Sequence, residues 1–138
     1  MKILIADDNQ ENCLLLQRYL EHYGECDIVV NGLEVVDAVS IAHQQNEPYD
    51  LICLDIMMPE MDGQQALQVV REMENKLVPP PEKAAVIFMI TALNDSKEII
   101  AAFDHGGCDA YLTKPLSHAI LTRKLREHGF YPLPDKDS

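Results

Sequence analysis

Three short runs in this chain, KILIA (Lys2–Ala6), DLICL (Asp50–Leu54) and VIFMI (Val86–Ile90), are almost continuously apolar. A half-exposed strand alternates apolar and polar residues. A run without that alternation fits a strand covered on both faces, and such strands build parallel sheets flanked by helices. Two further runs, CDIVV (Cys26–Val30) and AYLT (Ala110–Thr113), bring the number to five. The stretches between them are amphipathic. Asn9–Tyr23 carries Cys13, Leu16, Leu20 and Tyr23 at helical spacing before Gly24, and Gly32–Gln44 carries Leu33, Val36 and Ala38–Val39. Asp62–Glu74 opens with an acid cap and Gln65 three residues on. Asp95 and Glu98 repeat that signature at the head of a helix expected to end at Gly106–Gly107. Ser117 caps a last helix, with Leu116 and Leu121 placed as a hydrophobic staple. Five βα units in succession predict an α/β fold, an open five-stranded parallel sheet with five helices on its two faces. Residues 75–84, with Pro79–Pro81, and the tail 129–138 read as loops.

A length of 138 residues fits one domain, read as 1–128 followed by the tail 129–138. The net charge of −12, from 11 Lys and Arg against 23 Asp and Glu, argues against direct binding to nucleic acid or an anionic membrane. No apolar stretch is long enough to cross a bilayer and no signal peptide opens the chain, so the expected location is cytoplasmic. Met1 directly before the first strand favours a natural start, while the short tail after Gly129 leaves open both a free-standing domain and a piece cut from a longer protein. Cys13, Cys26, Cys53 and Cys108 form no CxxC pair and read as reduced packing residues. Neither GxGxxG nor GxxxxGK[ST] is present, which leaves dinucleotide and P-loop readings without support.

The chemistry lies at the strand ends, because ligands of open parallel sheets bind beyond the carboxyl ends of the strands. The first run leads into Asp7 and Asp8, the third into Asp55, the fourth into Thr91 and the fifth into Lys114–Pro115. Singly, each has an ordinary reading: an aspartate capping a turn, a strand-end hydroxyl, a solvated lysine. Together, with strands one, three, four and five adjacent, they converge on one cleft. Three carboxylates packed together repel, and a hard cation with oxygen ligands, Mg2+, is their natural partner. A carboxylate can act as nucleophile and form an aspartyl phosphate. A cation, a lysine and a hydroxyl then offset the charge on the transferred group. On this reading Asp55 is the acceptor, Asp8 holds the metal directly, Asp7 lies close by, Thr91 bonds a phosphoryl oxygen and Lys114 ion-pairs with the phosphate.

The stretches ILIADDN (Ile3–Asn9), YDLICLDIMMPEMDG (Tyr49–Gly63), MITA (Met89–Ala92) and GGCDAYLTKPL (Gly106–Leu116) together resemble the receiver domain of bacterial two-component response regulators, the CheY-like family. The resemblance spans about residues 2–128. It implies a flavodoxin-like doubly wound fold with strand order 2-1-3-4-5. It implies that Asp55 accepts a phosphoryl group from a histidine kinase or histidine phosphotransfer protein, and that an output protein then binds the face of helix four, strand five and helix five. The metal ligands carried over are the side chains of Asp8 and Asp55 and the backbone carbonyl of Met57, with Asp7 acting through water. Thr91 and Tyr111 carry over as the switch pair, Lys114–Pro115 as a cis bond, and Met57 as a side chain bordering the phosphate. The domain would be no enzyme beyond its own aspartyl phosphorylation and dephosphorylation. Leu15 and Tyr19, off the buried stripe of the first helix, read as a docking patch for the phosphodonor. Arg123, Lys124 and Arg126 read as a solvated helix end. An aspartate-nucleophile phosphatase would want a second acid where Met57 stands, and a pure interaction module would not keep the acceptor set intact.

Overall fold

The computed structural model describes residues 1–77, 83–92 and 107–134. In chain order the elements are β1 (Lys2–Ala6), α1 (Gln10–Leu20), β2 (Glu25–Val29), α2 (Gly32–Gln44), β3 (Leu51–Asp55), α3 (Gly63–Lys76), β4 (Val86–Ala92), β5 (Ala110–Lys114) and α4 (His118–Glu127). The helix expected from Asp95, and the loop at Pro79–Pro81, lie outside the described residues. The helix the sequence counts as fifth is therefore α4 here.

The five strands form one parallel sheet in the order β2-β1-β3-β4-β5. The sequence pattern follows from that order. Every residue of central β3 is buried, and so are the inner residues of β4, whereas the edge strand β2 shows Glu25, Asp27 and Ile28 to solvent. Strand alternation divides the core in two. Leu4, Ala6, Ile52, Leu54, Ile87 and Met89 face the layer of α2 and α3. Ile3, Ile5, Leu51, Cys53, Phe88, Ile90 and Leu112 face α1 and α4, and all of these lie within clusters almost closed to water.

Local signals set the helix starts. Asn9 Oδ1 accepts from Asn12 N–H at 3.0 Å and Asn31 Oδ1 from Glu34 N–H at 2.8 Å. Asp62 and Gln65 exchange both bonds of a capping box, at 2.9 and 3.1 Å, as their spacing predicts. Ser117 Oγ accepts from Ile120 N–H at 3.3 Å, and Leu116 packs against the cluster that contains Leu121. The face of α2 differs from expectation. Val35, Val39 and Ala42 are buried, while Leu33 is 46 % exposed and Val36 only half-buried. Glu34, Asp37, Ser40 and Gln44 line one side of this helix, and the arc opposite them, Val35, Ala38, Val39 and Ala42, is the one that meets the sheet. The helix α3 runs two residues into the stretch read as loop, to Lys76.

At the end of the sheet where β4 and β5 begin, Arg71 of α3 ties several segments together. Its guanidinium donates to the carbonyls of Ala85 and Gly107, each at 2.8 Å, and pairs with Glu74 at 2.8 Å and Asp109 at 3.0 Å. Glu74 and Asp109 in turn accept from the N–H groups of Ala85 and Ile87. After α4 the chain turns back: Phe130 packs into the α1 side of the core and Leu133 N–H donates to the His22 carbonyl at 2.7 Å. All four cysteines are unpaired, with Cys13 and Cys53 buried. None of the described helices is long and apolar enough to cross a membrane.

Candidate functional site

Strand register brings the acids together. Ala6 pairs with Leu54, so Asp7 stands level with Asp55 on the neighbouring strand. Both continue the alternation that points Ile3, Ile5, Leu51 and Cys53 toward α1, and Lys114 follows Ala110 and Leu112 on the same side. The result is one cluster at the carboxyl ends of the strands. Carboxylate oxygens of Asp7, Asp8 and Asp55 all lie within 4.8 Å of one another. Lys114 Nζ sits 3.2 Å from Asp55 Oδ2 and 3.3 Å from Asp7 Oδ2. Asp7 and Asp55 are 1 % and 4 % exposed, while Asp8 is open to solvent.

The hydrogen bonds at the cluster are incomplete. Asp7 Oδ1 accepts from Asn9 N–H at 2.9 Å, but its buried Oδ2 receives no hydrogen bond, for Lys114 approaches off the bonding direction. Asp55 Oδ1 has only a long contact, 3.4 Å, from Met57 N–H. Buried carboxylate oxygens are normally satisfied, since an orphan carries a desolvation penalty of about 1–3 kcal/mol. Burial, and next the negative charge of Asp7, push Asp55 up to about 6 against the opposing pull of Lys114. Burial alone would lower Lys114, yet Asp55 and Asp7 outweigh it and raise its pKa. The donor set is all oxygen, dense in negative charge and short of protons. That set fits a small hard cation such as Mg2+.

The raised Asp55 has a measurable consequence in metal-free protein. The folded state holds this proton more tightly than the unfolded chain, where an ordinary aspartate titrates near 3.8. Its stabilising contribution is therefore complete below about 4 and lost as pH rises through about 6. In EDTA, wild type should lose stability relative to Asp55→Asn between those values, as read by urea unfolding at several pH values. A difference that stays flat from pH 4 to 7 contradicts the assigned environment.

The other residues marked in the sequence are placed less tightly. Thr91 lies one residue beyond Ile90, the register partner of Asp55; it is buried, and its hydroxyl donates to the Ala92 carbonyl at 3.3 Å. Tyr111 is 44 % exposed on β5 beside a small cleft lined by Pro115 and Ile120. The Lys114–Pro115 peptide is cis. The Met57 side chain is 59 % exposed. On α1, Leu15 is half-buried, and Tyr19 packs into the core and against the His118 ring at 4.7 Å, while neighbouring Leu14 is 52 % exposed.

One supporting residue escaped the sequence reading. A Cβ on Gly63 would collide with the Asp55 carbonyl oxygen and lie 2.9 Å from Ile56 Cα, and Gly63 N–H donates to the Ile56 carbonyl at 2.9 Å. The head of α3 thus packs directly on the backbone of the acid-bearing strand end. The signal was present as the glycine after Asp62, where it reads only as part of a cap.

The model of the family described as response regulator receiver domain matches residues 3–126. The chain is 32 % identical over 123 residues to the sensor histidine kinase GacS of Pseudomonas protegens, covering 88 % of this chain and 12 % of that protein. Relatives of this kind are much longer than the chain, which spans 4 % of the hybrid signal transduction histidine kinase G of Dictyostelium discoideum and 16 % of the sensory/regulatory protein RpfC of Xanthomonas campestris. Among solved structures, the receiver domain of the Francisella response regulator 1452 gives a TM-score of 0.69 at 25 % identity, over 91 % of this chain and 93 % of that one. A chain from the co-crystal of the Saccharomyces cerevisiae phosphotransfer protein Ypd1 with the receiver domain of Ssk1 gives 0.70 at 25 % identity, over 91 % and 86 %.

Proposed function

The chain belongs to the response regulator receiver domain family, and from that premise we propose that Asp55 is the acceptor of a phosphoryl group in a two-component phosphorelay. The donor is the phosphohistidine of a histidine kinase or histidine phosphotransfer protein. An Asp55 carboxylate oxygen attacks phosphorus, the P–O bond forms as the P–N bond breaks, and the electron pair leaves on the imidazole nitrogen, which takes a proton from solvent. Asp55 attacks in its ionised form, which a cation bound beside it would favour against the burial and the Asp7 charge that raise its pKa. The observation that carries the reading is the convergence of three carboxylates and one lysine around a buried Asp7 oxygen that no hydrogen-bond donor satisfies.

Asp7, Asp8, Asp55 and the Met57 carbonyl are the groups that would hold Mg2+. Bound there, the cation offsets the charge on the phosphoryl oxygens. Lys114 already bridges Asp7 and Asp55, so it needs only a small rotation to pair with a phosphoryl oxygen. The Thr91 hydroxyl can exchange its contact with the Ala92 carbonyl for the same group. Phosphorylation adds charge and acceptor oxygens at one strand end. As Thr91 and Lys114 turn toward it, Tyr111 and the surface around β5 change, and an output protein reads the difference. Water attack on phosphorus regenerates Asp55, so the catalysis is confined to the domain's own phosphorylation and dephosphorylation, and the exposed Met57 side chain borders the water's approach.

Incubation with a small phosphodonor should add one phosphoryl group to the intact mass in the presence of Mg2+ and none in excess EDTA. Equal incorporation in the two conditions would refute the metal role of the acid cluster.

A further inference from the structure

The segment between β3 and α3, residues 56–62, follows a strained path. Glu60 has φ +69°, a region that residues with a Cβ rarely enter. Met61 N–H donates to the Pro59 carbonyl at 2.8 Å. Residues 59–61 therefore close a three-residue turn around Glu60, and a positive φ at its centre marks the strained form of that turn. Strain of this kind persists only where the surroundings impose it, and it gathers at functional sites.

The surroundings here include a contact from across the molecule. Gly32, the first residue of α2, donates its N–H to the Met61 carbonyl at 2.9 Å. The first N–H groups of a helix lack partners within it, and the Asn31 side chain is occupied with Glu34 N–H. The Gly32 N–H is thus free to reach outward. A Cβ on Gly32 would collide with the Met61 carbonyl oxygen and carbon, and would lie 2.7 Å from Met61 Cβ. The glycine is required for closeness, since its φ is not positive. At the other end of the same loop, Met57 N–H faces Asp55 Oδ1 at 3.4 Å.

We propose that Gly32 is a positioning residue for the acceptor site: by letting α2 bond the Met61 carbonyl, it fixes the loop that carries the Met57 backbone toward the cation held by Asp7, Asp8 and Asp55. This rests on the reading of the acid cluster as a Mg2+ site. It adds that α2, which contributes no ligand, sets how well that site binds.

The test compares Gly32→Ala with Gly24→Ala. A Cβ on Gly24 meets comparable crowding, against the Met1 backbone, but at the opposite end of the sheet. Mg2+ binding is measured by calorimetry, alongside thermal unfolding and the Mg2+ concentration for half-maximal labelling by a small phosphodonor. Gly32→Ala should weaken Mg2+ binding by about tenfold, the lower end of what outer-shell partners of metal sites contribute. Labelling should recover at saturating Mg2+. Gly24→Ala should unfold at lower temperature with Mg2+ affinity unchanged. In wild type, amide exchange at Gly32 should slow on Mg2+ addition, because coupling between two sites is reciprocal; this readout needs no variant. An unchanged Mg2+ affinity in Gly32→Ala, an equal loss in Gly24→Ala, or amide exchange indifferent to Mg2+ would each overturn the proposal while leaving the acceptor reading intact. A wild-type chain that takes up no Mg2+ overturns both.

Discussion

Asp55→Asn should take up no phosphoryl group from a small donor with Mg2+ under conditions that label wild type. The substitution keeps shape and volume and removes only the ionised oxygen proposed to attack, so it isolates that role. It also relieves the crowding of charge around Asp7, so the variant should fold at least as stably as wild type in the absence of metal. That expectation guards against a trivial loss of labelling through unfolding. Position singles out Asp55 among the three acids. It ends the strand that lies between β1 and β4 and its Oδ1 receives only the long Met57 N–H contact, whereas Asp7, just as buried, has one oxygen committed to Asn9 N–H at 2.9 Å, and Asp8 stands in the open. Intact-mass measurement followed by peptide mapping decides the matter. Label of wild-type extent in the variant, on Asp7 or Asp8, would mean that the acceptor has been misassigned.

Phe88→Ala should lower unfolding free energy by about 3–5 kcal/mol, the range for truncating a fully buried aromatic side chain. Phe88 is wholly buried on β4, packed in the cluster that joins β1, β3 and β5 to α1 and α4, with its ring edge-on to His128 at 5.3 Å. Domains of this size hold about 5–15 kcal/mol in total, so the variant should sit close to its unfolding threshold. Urea denaturation followed by circular dichroism gives the number. A loss below about 1 kcal/mol, typical of surface positions, would mean that this face of β4 is not covered as described. The His128 contact adds a check: an aromatic pair contributes roughly 0.5–1.5 kcal/mol beyond area, so Phe88→Leu should fall between wild type and alanine.

Much of this architecture was readable because the residues that define it obey short-range rules. Unbroken apolarity at Leu51–Leu54 and Ile87–Ile90 requires cover on both faces, and the caps at Asp62 and Ser117 announce their helices within four residues. Asp7, Asp8, Asp55 and Lys114 were legible together because a parallel sheet aligns strand ends, so their meeting follows from topology alone. The buried face of α2, Val35, Val39 and Ala42, lies opposite the polar stripe of Glu34, Asp37, Ser40 and Gln44, and a reading anchored on Leu33 and Val36 sets that helix part of a turn off. Other features depend on where separate elements come to rest. The bond between Gly32 and Met61 joins residues 29 apart in sequence (61 − 32), and nothing local to either position marks it. The packing of Gly63 on the Asp55 backbone is likewise invisible in a motif that reads as a cap. Thr91 was placed correctly along β4, but its hydroxyl is turned to a backbone carbonyl, which a strand pattern cannot express.

The guanidinium of Arg71 gives the molecule a mechanical asymmetry. It rivets the rear of β4, at Ala85, to the residues that lead into β5, at Gly107 and Asp109, through three short polar contacts. Thr91 and Lys114 stand at the far tips of those same two strands. With the roots tied in this way, a pull on either tip bears on the ladder that pairs Thr91 with Thr113 and Ala92 with Lys114, not on the spacing of the roots.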